Sequence, residues 1–290
     1  MTPPGVATAA PCLALDIGGT KVDAALVTRE GIVLRRLRLD VRASGEDLFE
    51  DITRMLARVR GDDEVSALGV ACAGPTTAGG STVSPLNIPV WRDFPVRDEL
   101  RQATGLVVDI DGDVCALALA EGVVGAARDV SSYASLVVST GVGGALVMDG
   151  RLLRGESGNA GHIGHLNVVL EGRRCSCGAR GCLEAEASGW AITEMTGRSP
   201  EFADEATRRR SATLVGRAIG ALASVLDFNR CYVAGSVALG FGDEFFATAS
   251  VSAHEMATMA YSQSHEVRRP GLGADGPLLG AACVAWRTYS

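Results

Sequence analysis

One histidine and three cysteines crowd into a short stretch of this chain: His165, then Cys175-Ser-Cys177-Gly-Ala-Arg-Gly-Cys182. One imidazole and three thiolates make a tetrahedral zinc set, and with all four positions filled by protein the metal is structural. Gly178 and Gly181 let the backbone wrap around an ion. A disulfide is the poorer reading, because a reducing cytoplasm and the Cys-x-Cys spacing both oppose it. The zinc would also fix His165 and Glu184 on one small scaffold. The other cysteines, Cys12, Cys72, Cys115, Cys231 and Cys283, lie scattered among apolar neighbours and read as small core residues.

Two glycine-rich turns suit phosphate. They are Asp16-Ile-Gly18-Gly19-Thr20-Lys21 and Ser139-Thr140-Gly141-Val142-Gly143-Gly144. Glycines admit phosphate oxygens close to the backbone, and successive N–H groups in such turns form an anion nest. Thr20 and Thr140 add hydroxyl donors, and Asp16 could hold magnesium through water. Strand rather than helix follows the glycines, so neither turn is a Walker A loop. Either turn alone reads equally well as an ordinary hairpin; their pairing favours nucleotide. Lys21, the single lysine in a chain with 27 Lys and Arg, falls in the first turn, a weak hint of anion handling. The arginine bias itself points to a GC-rich genome.

Phosphoryl transfer needs mostly positioning and charge neutralisation, plus one base for the attacking hydroxyl. The stretch Val107-Val-Asp109-Ile-Asp111-Gly112-Asp113 runs from a strand into an Ala-rich helix over 114–121. By position alone Asp113 reads as a helix N-cap, worth about 1 kcal/mol. Asp109 and Asp111 are neighbouring carboxylates.

The elements around these residues repeat. Strands are expected at 13–17 and 22–27, then a turn at Glu30-Gly31 and a strand from Ile32. Ser44 and Asp47 resemble a capping box for a helix whose apolar residues are Leu48, Ile52, Met55, Leu56 and Val59. A buried strand at 67–71 ends at Gly74-Pro75. The same strand, Gly/Thr turn, strand, Gly turn, strand order returns at 135–153, with the second turn over 140–144. A long helix is expected over 211–226, a strand over 231–234 running into Gly235-Ser236, and a last helix over 281–286. Two copies of one unit imply two related lobes with a cleft between them. The expected lobes are residues 1–122 and 123–290, the boundary lying near 120–130 and the last helix packing back on the first lobe.

Composition bounds the rest. The 290 residues suffice for about two domains, with 47% hydrophobic and 21% charged residues as in ordinary globular proteins. A net charge of -7 opposes a nucleic-acid surface. No apolar run reaches membrane-spanning length, and residues 1–11 lack the basic and apolar regions of a signal peptide. A cytoplasmic location is expected.

The two phosphate motifs resemble those of the ROK family, within the sugar-kinase, heat-shock and actin superfamily. The His-then-Cys-x-Cys-x₄-Cys arrangement is similar to that family's hallmark, and the likeness runs over residues 13–282. It implies an α/β fold of two actin-like (ribonuclease H-like) lobes with a central cleft. It also implies an ATP-dependent, glucokinase-like sugar kinase using Mg²⁺ and a structural Zn²⁺. Family repressors carry a helix-turn-helix domain ahead of the first motif, which is not expected here because that motif begins at residue 16. The resemblance makes Asp113 the catalytic base, in place of the helix cap. It assigns Asp16, Gly18, Gly19, Thr20, Lys21, Thr140, Gly141 and Gly143 to phosphates and magnesium, and Gly235 to the adenosine. The sugar residues it implies are Gly74, Asn87, Gly112, Asp113, His162, His165 and Glu184, with Gly74-Pro75 and Asn87 on a sugar-side loop.

Two positions depart from the family pattern. Gly112 stands where an asparagine usually precedes the base, and His162 where a sugar-binding glutamate is usual. A carboxylate only accepts hydrogen bonds, whereas a neutral imidazole offers one donor and one acceptor. The expected reaction is phosphorylation of the 6-hydroxyl of glucose or a glucose-like sugar. An amino-hexose such as kanosamine or N-acetylmannosamine is the alternative substrate, and a non-catalytic sugar-binding regulator the alternative class. The expected partners are a small-molecule sugar and a second copy of the chain in a homodimer, with no nucleic acid or membrane. His254 and His265 read as surface or structural residues.

Overall fold

Strand β1 (Cys12–Ile17) is buried along its whole length, and an apolar strand of that kind must sit inside a sheet covered on both faces. The computed structural model describes residues 10–41, 47–74, 81–85 and 88–287. Ser44, Pro75 and Asn87 lie outside the described residues. The chain divides into two units, Met1–Val124 with Leu272–Ser290, and Gly125–Gly271.

The first unit holds a five-stranded sheet in the order β3-β2-β1-β4-β5, from β1, β2 (Lys21–Val27), β3 (Val33–Asp40), β4 (Ala67–Cys72) and β5 (Val107–Gly112). β2 runs antiparallel to β1 and β3, while β1, β4 and β5 are parallel. Register puts Asp16, Ala71 and Asp111 in one row and Ile17, Cys72 and Gly112 in the next. The turn at Gly18 and the residue Asp113 therefore emerge together at the carboxyl ends of parallel strands, where α/β sheets bind ligands.

Helix α1 (Leu48–Arg60) buries Leu48, Ile52, Met55, Leu56 and Val59, the five residues whose spacing marked it. Asp47 stands at its N-cap without a side-chain capping bond, so its half of the expected capping box does not form. Helices α2 (Val96–Thr104) and α3 (Asp113–Val123) follow. The other face of the sheet is covered by α3 and by the final helix of the chain, Gly276–Arg287. A Cβ on Gly69 would lie 1.8 Å from the Ala281 carbonyl oxygen, so only glycine lets that final helix lie directly on β4.

The second unit repeats the plan. β6 (Tyr133–Val138), β7 (Val142–Met148), β8 (Arg151–Leu152), β9 (Arg230–Ala234) and β10 (Glu266–Arg268) form a sheet in the order β10-β9-β6-β7-β8. Read from the other edge, this is the first sheet's order with each strand replaced by its counterpart. Helices α4 (Leu183–Ala187), α5 (Gly189–Thr196), α6 (Glu205–Leu226), α7 (Ser236–Gly240) and α8 (Asp243–Met256) pack with this sheet. The final helix of the chain, α9 by order, returns to the first unit.

Two expectations are corrected. The glycine turn at 140–144 is shorter, because Gly143 and Gly144 already pair with Val137 and Leu136 inside β7. Gly144 serves packing, since a Cβ there would fall 2.4 Å from Ile163 Cδ1. Helix α6 begins at Glu205 rather than residue 211, because Asp204 caps it by accepting from the Thr207 amide at 2.8 Å. Its first turns are polar, so apolar periodicity could not mark them. Cys12, Cys72, Cys231 and Cys283 are buried as expected of core residues, and Cys115 is half-buried.

Candidate active site and metal centre

In the first unit, the β1–β2 hairpin is closed by the Gly18 amide donating to the Lys21 carbonyl at 3.0 Å. Asp16 is buried at the end of β1, opposite Asp23 in the β1–β2 register. Burial, then the charges of Asp113 and Asp23, push the Asp16 pKa up to about 7, against the opposing pull of Lys21 and Arg36. Burial alone would raise Asp23 too, but hydrogen bonds from Arg36 Nε at 2.9 Å and Arg38 Nη2 at 3.0 Å outweigh it and hold its pKa low. Asp23 is thus a fixed charge, whereas Asp16 is a carboxyl that a cation would ionise.

Asp113 opens α3. Its carboxyl reaches solvent but is closely flanked by protein, and that desolvation raises its pKa above the ordinary carboxylate value. The Val114 amide, 2.8 Å from Asp113 Oδ1, pulls the other way. The N-cap of α3 is Gly112, not Asp113, and it makes no side-chain cap bond. The cap reading of Asp113 is therefore set aside on geometry. Asp109 and Asp111 are both claimed by Arg287 of the final helix, at 2.6 Å each. Nothing in the local sequence signals Arg287, which lies 176 residues beyond Asp111. Gly74 follows β4 with φ of 102°, and Asn87 lies outside the described residues.

In the second unit, the turn after β6 is Ser139-Thr140-Gly141, and all three of its carbonyls are engaged. Ser139 O accepts from the Gly189 amide at 2.8 Å, Thr140 O from the Trp190 amide at 3.0 Å, and Gly141 O from the Ser139 amide at 2.9 Å. Carbonyls tied into the protein in this way do not oppose an anion at the turn. Gly235, with φ of 100°, ends β9 and leads into α7, and a Cβ there would sit 2.2 Å from the Val138 carbonyl oxygen. Ser139 Oγ and Ser236 Oγ lie 2.9 Å apart, joining the two strand ends. That serine pair was not singled out from the sequence, though Ser139-Thr140-Gly141 and Gly235-Ser236 place a serine at each strand end.

The same unit gathers His165, Cys175, Cys177 and Cys182, whose ligand atoms all lie within 4.8 Å of one another. Cys175 Sγ is 3.6 Å from His165 Nδ1, and Cys177 Sγ is 3.7 Å from Cys182 Sγ. Bonds of about 2.3 Å to sulfur and 2.0 Å to nitrogen make tetrahedral edges of roughly 3.5–3.8 Å, so the set fits zinc. His165 would bind through Nδ1, leaving Nε2 for another partner. The loop is anchored by buried Glu186, which accepts from the Arg173 amide at 2.5 Å and pairs with Arg210 of α6.

His162 and His165 are both exposed, with rings 6.0 Å apart and nearly parallel. Glu184, in the first turn of α4, accepts a hydrogen bond from the Val142 amide at 3.0 Å. A Cβ added at Gly112 would meet only Cys115 Sγ, at 4.0 Å, so the position leaves open space. His254 is exposed and His265 buried, and their rings stack with centroids 4.4 Å apart.

Comparison with known proteins decides the family, because the model for the ROK family matches residues 12–288. The chain belongs to the ROK family. An N-acetylmannosamine kinase of Vibrio cholerae is 35% identical over 254 residues, which cover 79% of this chain and 85% of that protein. A ROK hexokinase from Thermus thermophilus matches in crystal structure with a TM-score of 0.87 at 32% identity, covering 96% of this chain and 99% of that one. A ROK family glucokinase from Streptomyces griseus, solved in complex with glucose and AMPPNP, matches at 0.80 and 27% identity, over 96% and 99% of the two chains. The mixed α/β architecture with two sheets is the actin-like, ribonuclease H-like fold of these ROK structures. Among the described residues, no helix is long and apolar enough to cross a membrane.

Proposed function

We propose that this ROK protein transfers the γ-phosphate of ATP to the 6-hydroxyl of glucose or a glucose-like hexose, with Asp113 as base. As an enzyme it is an ATP-dependent sugar kinase. One observation carries the assignment of the base. Of the three carboxylates at the end of β5, two are held by Arg287, while Asp113 has no cationic partner among the described residues. A carboxylate with a raised pKa and no counter-ion is a better proton acceptor than one held by a guanidinium.

Each remaining residue has a chemical task in this reading. Asp113 takes the proton as the hydroxyl oxygen attacks phosphorus. Thr20, Lys21 and the Gly18-Gly19 turn of the first unit, with Thr140, Gly141 and Gly143 of the second, orient phosphate oxygens. Gly235, at the end of β9, would lie against the adenosine. Magnesium, when bound with ATP, would neutralise phosphate charge, and Asp16 would hold it through water. Zinc on His165, Cys175, Cys177 and Cys182 would fix the scaffold that presents His165 Nε2 and Glu184 to sugar hydroxyls. A homodimer completes this reading, and sedimentation of the purified protein tests it.

An amino-hexose such as kanosamine or N-acetylmannosamine is the second reading, favoured by Gly112 and His162. The first opens space beside the base, and the second replaces an acceptor with a ring that can also donate. ATP turnover with a panel of glucose, mannose, N-acetylmannosamine and kanosamine tests both readings. Turnover of none of them, with sugar binding intact, would leave a non-catalytic regulator instead.

A further inference from the structure

Glu184 touches the second phosphate turn directly. It lies two positions after Cys182, at the start of a helix whose Leu183 amide is tied to the Leu166 carbonyl at 2.9 Å. Its Oε2 accepts from the Val142 amide at 3.0 Å, at the point where the turn becomes β7. A Cβ on Gly141 would fall 2.7 Å from that same oxygen. Glycine at 141 therefore leaves the carboxylate its place against the turn. The turn is held as well by the Gly189 and Trp190 amides, which donate to the Ser139 and Thr140 carbonyls. Among the described residues, no hydrogen bond reaches Glu184 Oε1.

We propose that Glu184 is a positioning residue for the nucleotide as well as a sugar contact. Oε2 holds the Val142 amide and with it the shape of turn 139–141, while Oε1 remains for a sugar hydroxyl. A hydrogen bond to an ionised acceptor is stronger than a neutral one, so the turn keeps its anion-binding form before nucleotide arrives. One carboxylate then joins the sugar site to the phosphate site within a single unit. The proposal rests on the kinase reading above and adds a role in nucleotide affinity that a sugar contact alone does not have.

The test is calorimetric titration of the zinc-loaded protein with Mg-ADP in the absence of sugar. Glu184→Ala removes the acceptor, and Glu184→Asp withdraws it by one methylene while keeping the charge. Both are expected to weaken Mg-ADP about tenfold, the effect of losing a hydrogen bond to a charged group. Glu184→Gln keeps an acceptor for Val142 and sheds the negative charge beside the phosphates, so it should stay within about twofold of the native affinity. All three should raise KM for the sugar, which separates the two roles. Unchanged Mg-ADP affinity in the Ala and Asp variants overturns the proposal, as does an equal loss in all three. If the native protein binds no Mg-ADP, the kinase reading and this proposal fall together.

Discussion

Arg287 Nη1 donates to Asp111 Oδ2 at 2.6 Å, while its Nη2 reaches Asp109 Oδ2 at the same distance. The final helix of the chain thereby ties down the end of β5 and leaves Asp113, two residues beyond Asp111, without a cationic partner among the described residues. Asp113→Asn is expected to lower kcat by roughly 10²- to 10⁴-fold, with sugar and nucleotide affinity little changed. Asp111→Asn should instead destabilise the fold by roughly 1–3 kcal/mol, because it weakens a buried charge-assisted bond. Steady-state kinetics and urea unfolding of the two variants check this pair. A variant at 113 that retains most of its kcat would remove the assignment.

Asp16 makes stability depend on pH in a stated direction. Its pKa is about 7 in the folded chain against 3.8 for the free side chain, so the folded state holds a proton that the unfolded chain releases. The cost of ionising it therefore sets in as pH rises past 3.8 and is complete above about 7. Asp16→Asn should make the ligand-free protein more stable at pH 8, by up to roughly 4 kcal/mol, and the gain should shrink on acidification. Thermal unfolding of both proteins between about pH 5 and 8 reads it out. A pH-independent difference would show that another group carries the shift.

The thiolate and imidazole cluster predicts about one zinc per chain by elemental analysis of protein prepared without added metal. Removing it with a strong chelator should lower the unfolding temperature, since structural zinc contributes folding free energy. Cys177→Ser should lose the metal and unfold more readily. Folded, active, metal-free protein would refute the assignment.

Specificity is expected to follow Gly112 and His162. Gly112→Asn with His162→Glu should move the ratio of kcat/KM for glucose over amino-hexoses by about tenfold or more towards glucose. A site built for a particular hydroxyl or amine rejects analogues that leave buried polar groups unpaired. Equal ratios before and after the double change would place specificity elsewhere.

The sequence by itself determined the local features of this protein. Chemistry that needs residues close along the chain, such as Cys175-x-Cys177 or Gly18-Gly19-Thr20, is visible as spacing. Buried elements announce themselves by apolar runs or helical periodicity, as in β1 and in the five buried residues of α1. The duplicated strand-turn-strand order was visible for the same reason. What only the tertiary structure decided involves partners far apart in sequence. Arg287 separates Asp113 from Asp109 and Asp111 across more than 170 residues, and no local pattern encodes that contact. Gly143 and Gly144 look like turn residues in sequence, yet they pair with Val137 and Leu136 inside a strand, and Ile163 packs where a side chain on Gly144 would be. Glu184 meets the Val142 amide only because the metal-ligand loop and the β6–β7 turn fold onto each other. Hydrogen bonds and steric exclusion act over a few ångströms of space, and chain folding alone brings such groups within that range.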